Sequence, residues 1–257
     1  MNRAKVICFA NQKGGVGKTT SALNIAACLA RSGKQVLFID FDPQGNSTSG
    51  IGIKKKSING SVYEMLVGKM KWTDVVIKSN VRHLSVIPSS MNLTGAELEL
   101  VDEDDRAFKL KKAIGDAKEN FDYIIIDCPP SLGLLTVNAL TAAKYVVIPV
   151  TCEFYSLEGL SQLTATVKQI KRIYNPELEL LGVLVNMYDG RLNLSIAVLE
   201  ELKKYFSDKI FKTPIPRNVK ISEAPSHGMA ITEYDKNGRG AAAYSSVALE
   251  IMQRCEQ

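Results

Sequence analysis

Apolar and polar positions along the chain follow two alternating periods, which predict strands and helices in turn. Short, almost wholly apolar runs, typical of buried parallel strands, occupy residues 6–10, 36–40, 84–88, 123–127, 145–151 and 180–186. Runs with apolar residues at helical spacing occupy residues 23–30, 93–101, 108–118, 157–174, 193–205 and 239–254. The alternation predicts an α/β fold, with one domain over residues 1–257 and a mainly parallel, twisted, helix-flanked sheet of about seven or eight strands.

Other stretches are less regular. Residues 61–66 and 72–77 predict two short helices, and residues 209–213 lead into a last short strand. The lysine run at 54–56 reads most simply as a solvated loop.

Composition narrows the class of protein. Hydrophobic residues make up 46% of the chain and charged residues 23%, which is ordinary for a globular protein. No apolar run approaches the roughly 18 residues that span a bilayer, and the first predicted strand leaves no room for a signal peptide, so we expect a cytoplasmic protein. The five cysteines form no C-x-x-C pair, which indicates neither a zinc site nor a disulfide framework.

The strongest chemical signal is the stretch N-Q-K-G-G-V-G-K-T-T at residues 11–20, between a predicted strand and a predicted helix. Glycines let the backbone bend around an anion, and the N–H groups of the helix end point at it. We therefore expect a phosphate-binding loop formed by Lys13, Gly14, Gly15, Val16, Gly17, Lys18, Thr19 and Thr20. Lys18 would lie along the β- and γ-phosphates, and the Thr19 hydroxyl would ligate Mg²⁺. The alternative is a glycine turn that only caps a helix, with Lys18 solvated.

The loop departs from the general G-x-x-x-x-G-K-[ST] pattern. Gln12 stands where the first glycine is usual, and a second lysine, Lys13, precedes Lys18 by five positions. Two ammonium groups on one short loop repel each other unless polyphosphate neutralises them. The spacing therefore indicates an anion-rich site.

Two acids follow apolar runs at the predicted ligand edge of the sheet. Asp42 lies on a loop broken by Pro43 and Gly45, so it is a candidate for positioning the attacking water or for reaching the Mg²⁺. Its alternative role is to cap a turn. Asp127 ends a buried run before two prolines, the Walker B arrangement, and would bind Mg²⁺ through water.

Asn186 ends the run at 180–186, and its amide offers both a donor and an acceptor to an adenine base; the alternative is a capping role. The two histidines, His83 and His227, do not neighbour the nucleotide motifs. With no evident strong general base, we expect slow hydrolysis that needs a trigger. The residues themselves predict Lys18 and Asp42 as catalytic.

Positive charge is concentrated in residues 186–221, which carry +3 of the chain's net +5. No helix-turn-helix, zinc finger or aromatic-studded sheet is evident that would read bases. Charge without base-reading groups indicates contact with the phosphate backbone, hence sequence-independent DNA binding. The alternative is an ordinary solvated surface.

The chain resembles the deviant Walker A ATPases, and specifically the ParA proteins of the Soj type. The matching strings are residues 11–20, D-P-Q-G-N at 42–46, D-C-P-P-S at 127–131, C-E-F-Y-S-L-E-G-L at 152–160, I-P-R-N at 215–218 and S-E-A-P-S-H-G at 222–228. The resemblance implies an ATP- and Mg²⁺-dependent homodimer in which Lys13 reaches the partner's nucleotide. It thus adds Lys13 to Lys18 and Asp42 as a catalytic residue. It also implies switch roles for the segments around Asp42 and Asp127.

The same resemblance implies further contacts. Asn186 would bind adenine, with Pro216 and Asn218 closing over the base. Arg191 and Lys220 would contact double-stranded DNA, although relatives often have arginine at the second position and lysine lacks the bidentate fork. Arg217 joins them as a DNA candidate beside the base pocket, where it could instead serve the nucleotide. A ParB-type protein would stimulate hydrolysis on the nucleoid.

Three rival functions would each require features of their own. A MinD-like membrane ATPase needs a basic amphipathic tail, but residues 247–257 hold one cation and two acids, so no membrane partner is predicted. A metabolic ligase of the same fold needs a second substrate pocket, which the motifs do not indicate. A scaffold role remains open, although it would leave an intact nucleotide site without use.

Overall fold

The computed structural model describes residues 4–153 and 156–256. The two residues between those ranges belong to the 152–160 string and lie outside the described residues. Strands run over Lys5–Phe9 (β1), Val36–Asp40 (β2), Ile77–Lys78 (β3), Leu84–Ile87 (β4), Tyr123–Asp127 (β5), Tyr145–Thr151 (β6) and Glu179–Asn186 (β7).

Twelve α-helices are formed by the described residues. They are Lys18–Arg31 (α1), Asn46–Gly50 (α2), Val62–Leu66 (α3), Trp72–Val75 (α4), Leu93–Glu99 (α5), Lys109–Ala113 (α6), Leu134–Ala142 (α7), Ser156–Ile173 (α8), Asn193–Phe206 (α9), Val219–Glu223 (α10), Ile231–Tyr234 (α11) and Arg239–Glu256 (α12).

The strands form one seven-stranded sheet in the order β3-β4-β2-β5-β1-β6-β7, and all neighbours are parallel except β3 with β4. This confirms the predicted α/β fold. β1 lies between β5 and β6, and the chain passes from it to β2 on one side and later to β6 on the other. Ligands of open α/β sheets bind where the strand order reverses in this way, outside the carboxyl ends of the strands.

Both faces of the sheet are covered, which explains why its strands are continuously apolar. In β1, Val6 and Cys8 face a core completed by α3 and α5–α9, while Ile7 and Phe9 face a core completed by α1 and α10–α12. Because side chains alternate along a strand, one short apolar run serves both cores. The sheet is thereby held as a rigid platform for the loops at its carboxyl edge.

Three local predictions were wrong. Residues 72–77 form a helix of only four residues, after which Ile77–Lys78 pairs antiparallel with β4. Residues 209–213 form no strand; Ile210 makes an isolated bridge to Val183. The helix predicted over 108–118 ends at Ala113, and a separate 3-10 turn follows at Ala117–Glu119.

Within the described residues, no helix has the length and apolar character needed to cross a bilayer.

Candidate nucleotide site

The glycine-rich loop follows β1 at the point where the strand order reverses, and α1 begins at Lys18. Gly15 and Gly17 have φ angles of 76° and 82°, in the left-handed region that favours glycine. A Cβ on Gly17 would lie 2.8 Å from the Asn186 side-chain nitrogen. Gly17 is therefore required both for the turn and for the close approach of β7.

Asn186 fastens the loop to the end of β7. Its Nδ2 donates to the Val16 carbonyl at 2.8 Å and lies 3.0 Å from Ser21 Oγ, while the Ser21 hydroxyl is 3.2 Å from Asn186 Oδ1. The side chain is buried. The amide predicted to bind adenine is thus engaged with the phosphate loop and with α1.

Lys18 points into the molecule. It is 7% exposed, and its Nζ donates to the Lys13 carbonyl at 3.2 Å. Burial lowers the pKa of its ammonium, while the negative charges of Asp127 and Asp42 oppose that change. A buried cation wrapped by the loop is a strong counter-charge for phosphate groups.

Asp127 and Asp40 are cross-strand partners at the ends of β5 and β2. Both are fully buried, and burial raises the pKa of Asp127 to about 7 and that of Asp40 to about 6. The adjacent Asp40 charge raises the Asp127 pKa further, whereas the hydroxyls of Ser47 and Thr19 oppose the rise. Neighbouring strands therefore bring two acids together beside the phosphate loop.

The segment after β2 is tied to these acids. Ser47 Oγ donates to Asp127 Oδ2 at 2.7 Å, and the Thr48 amide and hydroxyl donate to Asp40 Oδ2 at 2.7 and 2.6 Å. Asp42 is 8% exposed. The sequence predictions missed Asp40, Ser47 and Thr48; the only signal was two acids two positions apart, followed by hydroxyl residues.

The donor set fits magnesium. Asp127 Oδ1 is buried and has no hydrogen-bond partner among the described residues, and the Thr19 hydroxyl lies beside the same carboxyl group. No group of three or more His, Cys, Asp and Glu in the described ranges could hold a metal ion. Thr19 and Asp127 would thus share the ion with phosphate oxygens and water, and the bound ion would neutralise charge on the β- and γ-phosphates.

A cavity of about 320 Å³ opens beside the loop, with Gly17, Thr20, Asn186, Met187, Pro216 and Asn218 among its lining residues. Arg217 lines it too. The Asn218 side chain accepts a hydrogen bond from the Lys220 amide at 2.9 Å and so caps α10. Pro216 and Asn218, the two residues predicted to close over a base, thus line a cavity that borders the phosphate loop.

The remaining predicted residues lie at the rim. Lys13 Nζ forms an ion pair with Glu153, on the loop after β6. Arg191 is 89% exposed and is held by Asp189, and Lys220 Nζ lies 3.5 Å from Asp235. The phosphate loop therefore carries Lys18 directed inward and Lys13 directed outward. Arg191 and Lys220 lie on the surface, each paired with an acid.

Comparison with known proteins identifies the family. Residues 4–180 match the model of an AAA domain family. The chain is 55% identical over 247 residues to the sporulation initiation inhibitor protein Soj of Bacillus subtilis, covering 96% of this chain and 98% of that protein. It is 49% identical over 250 residues to the chromosome-partitioning ATPase Soj of Treponema pallidum, covering 97% and 98%.

Solved structures share the fold along nearly the whole chain. The cobyrinic acid a,c-diamide synthase of Mycobacterium smegmatis, with bound ATP analog and magnesium, superposes with a TM-score of 0.87 at 34% identity and 99% and 96% coverage. The septum site-determining protein MinD of Pyrococcus horikoshii, complexed with Mg-ADP, gives 0.82 at 25% identity and 96% coverage of both chains.

These matches confirm the predicted family, the ATPase activity and the use of ATP and Mg²⁺. The chain belongs to the Soj/ParA family of chromosome-partitioning P-loop ATPases, and it hydrolyses ATP with magnesium.

Proposed function

We propose that this ATPase forms an ATP-sandwich homodimer that binds double-stranded DNA without sequence preference and partitions DNA on the nucleoid in the cytoplasm. A ParB-type protein stimulates its hydrolysis. The observation that carries the proposal is the opposite direction of the two loop lysines: Lys18 is buried at its own phosphate site, whereas Lys13 pairs with Glu153 at the exposed rim. A second cation at the rim serves a nucleotide shared between two subunits.

Within one subunit, four residues divide the chemistry. Lys18 neutralises the transferred phosphoryl group, and Thr19 and Asp127 hold the magnesium ion. Asp42 orients the attacking water from the loop after β2. The described residues place no histidine at this site, because His83 and His227 lie before β4 and after α10. Turnover by one subunit alone is therefore slow, which suits control by a partner.

The DNA surface consists of Arg191, Arg217 and Lys220. Arg191 and Arg217 line a single surface cavity of about 620 Å³, and Lys220 lies on α10 directly after it. A dimer doubles this positive surface, so affinity for a polyanion rises with ATP-dependent dimerisation. The relatives named for chromosome partitioning support DNA as the polyanion.

Two rivals share the fold. The similarity to the Mycobacterium smegmatis synthase, at 34% identity, supports a metabolic ligase as an alternative. The Soj relatives are more similar to this chain, at 49% and 55% identity. For the MinD alternative, α12 would have to act as an anchor, yet Val247, Ala248 and Ile251 are buried against the sheet. The C-terminal helix is therefore committed to the core.

Sedimentation with DNA and with anionic liposomes, each with ADP or ATP, separates these functions. We expect ATP-dependent sedimentation with two unrelated duplexes alike, and none with liposomes. Binding to liposomes alone would favour the membrane ATPase. Binding to neither, with an intact ATP-dependent dimer, would remove DNA partitioning while leaving the ATPase assignment untouched.

A further inference from the structure

The turn that carries Asp42 is fastened on its inner side by a continuous set of hydrogen bonds. Asp42 Oδ1 accepts from the Gln44 amide at 2.9 Å, and the Gly45 amide donates to the Asp42 carbonyl at 2.9 Å. Just beyond, Ser47 and Thr48 bond to the buried acids of β5 and β2. The orientation of the Asp42 carboxyl group therefore depends on the shape of a four-residue turn.

A lysine holds the same turn from the outside. Lys55 lies on the 3-10 turn Lys55–Ser57, and its Nζ donates to the Gln44 carbonyl. Its side chain crosses Gly45 so closely that a Cβ on that glycine would lie 2.8 Å from Lys55 Cε. Gly45 has a φ of 60° and therefore both makes the turn and leaves room for the lysine.

We infer that Lys55 is a positioning residue for ATP hydrolysis: its ammonium clamps the Gln44 carbonyl and so fixes the turn that aims the Asp42 carboxyl group. The inference rests on the proposed role of Asp42. Lys55 acts through the backbone of the turn, at the Gln44 carbonyl, whereas Ser47 and Thr48 bond to Asp127 and Asp40 beyond it. Without the clamp, the inner bonds still form, but the outer half of the turn gains freedom to move.

The lysine run supplies matched controls. Lys54 and Lys56 flank Lys55 and are exposed like it, and within the described parts of the chain neither ammonium group donates a hydrogen bond. The Lys54 carbonyl accepts from Ser57 Oγ, but that bond uses the backbone and a substitution of the side chain leaves it in place. Replacing any of the three removes the same charge from the same surface. Only the central replacement removes a contact with the turn, so the three variants separate positioning from a general effect of charge.

The experiment measures ATP hydrolysis by the full chain with Mg²⁺ and without DNA. We expect Lys55→Ala to lower kcat by about 3- to 10-fold, the worth of one hydrogen bond, at unchanged KM. Lys55→Arg keeps a donor and restores most of the rate. Lys54→Ala and Lys56→Ala keep the parent rate. Hydrogen exchange at the Gln44 and Gly45 amides rises in Lys55→Ala alone, with the melting temperature unchanged.

Several results would overturn the inference. Parent kcat in Lys55→Ala would do so, as would an equal loss in all three alanine variants, or a loss that follows melting temperature. Asp42→Ala, measured alongside, separates the role of Asp42 from the role of Lys55. If Asp42→Ala turns over normally, the role of Asp42 is wrong and this inference falls with it. If Asp42→Ala is slow while Lys55→Ala is normal, only the role of Lys55 is wrong.

Discussion

Lys13 of the phosphate loop and Glu153 of the loop after β6 form an ion pair between residues 140 positions apart in the chain. Their side chains are 35% and 60% exposed. Such surface pairs stabilise a protein by about 1 kcal/mol at most. A polyphosphate that presents several charges in a site closed by a second subunit would outcompete Glu153. The pair therefore holds the Lys13 side chain at the rim of its own site, from which the side chain could move to polyphosphate bound at a second subunit.

The first prediction concerns Lys13. We expect Lys13→Ala to bind ATP as a monomer and to fail to dimerise, because its charge is needed only where two phosphate sites meet. Analytical ultracentrifugation with ATP gives the test. Glu153→Gln is the complementary variant: it removes the competing carboxylate from both subunits and should dimerise at an ATP-bound protein concentration up to about 30-fold lower, since two pairs of about 1 kcal/mol at most no longer oppose each dimer. A normal ATP-dependent dimer of Lys13→Ala would contradict the sandwich.

The second prediction concerns Lys18. Its ammonium is buried against the loop, so Lys18→Ala removes the principal counter-charge to the phosphates. We expect ATP affinity to fall by about 100-fold in calorimetry, the scale of a buried charge-assisted contact. Lys13→Ala serves as the control, since it removes the other loop lysine and should keep ATP affinity. Equal affinity in the two variants would mean that Lys18 is not the phosphate lysine.

The sequence predicted those parts of the site whose residues lie close together along the chain, and it missed contacts between distant segments. The loop at 11–20 was readable because its glycines and lysines act within one turn between a strand and a helix. Asp127 was readable because a lone acid ended an apolar run. Ser47 and Thr48 lie on α2. The bond from Ser47 to Asp127 forms only because β2 pairs with β5, and the bonds from Thr48 to Asp40 require α2 to fold back over the end of β2.

The same limit explains the missed elements and contacts. Lys55 stood in a lysine run that read as solvated, and its bond to Gln44 depends on the path of the chain between α2 and α3. The helix predicted over 72–77 extended to Ile77, which instead begins the short strand Ile77–Lys78, because the partner strand β4 decides its conformation. Asn186 was predicted to bind adenine because of its place at a strand end. The bond from its amide to the Val16 carbonyl could not be predicted, because it depends on how β7 packs against the loop.

The third prediction concerns pH. Asp127 and Asp40 have pKa values of about 7 and about 6, above the ordinary 3.8, because both are buried. From the ordinary pKa of 3.8 up to about pH 7, the folded protein keeps protons on these two acids that the unfolded chain has lost. The free energy of unfolding therefore falls as pH rises through this window and levels off above about pH 7. We expect the melting temperature of the nucleotide-free protein to fall across this window.

Asp40→Asn tests the assignment, because the amide oxygen can still accept from Thr48 while the charge is gone. The decline with pH should become shallower, since one titrating group is removed and the Asp127 pKa loses the charge that raises it. Asp104→Asn, at an exposed position, is the control and should follow the parent curve. An unchanged decline in Asp40→Asn would place the pH dependence elsewhere in the protein.

The last prediction concerns DNA and starts from the Arg191–Asp189 pair. Arg191 Nε and Nη2 donate to the two Asp189 oxygens at 2.9 and 2.7 Å, the bidentate geometry that a guanidinium also offers to phosphate. The bond lowers the Asp189 pKa to about 2, so the carboxylate stays charged and competes with DNA at any working pH. Asp189→Asn should therefore bind DNA more tightly, and Arg191→Glu should lose DNA binding while ATP binding is kept.

Gel shifts on two unrelated duplexes over a salt series, with ATP, measure both effects. Arg191→Ala removes one phosphate contact per subunit without reversing a charge, and it should make the slope of log affinity against log salt shallower by about 2 for a dimer. Lys171→Glu makes a comparable charge reversal on α8, beside Glu179 at the opposite edge of the sheet, and should leave the slope unchanged. If Lys171→Glu weakened binding as much as Arg191→Glu, net charge alone would govern affinity. A strong preference for one duplex would mean that bases are read, which charge on Arg191, Arg217 and Lys220 does not provide.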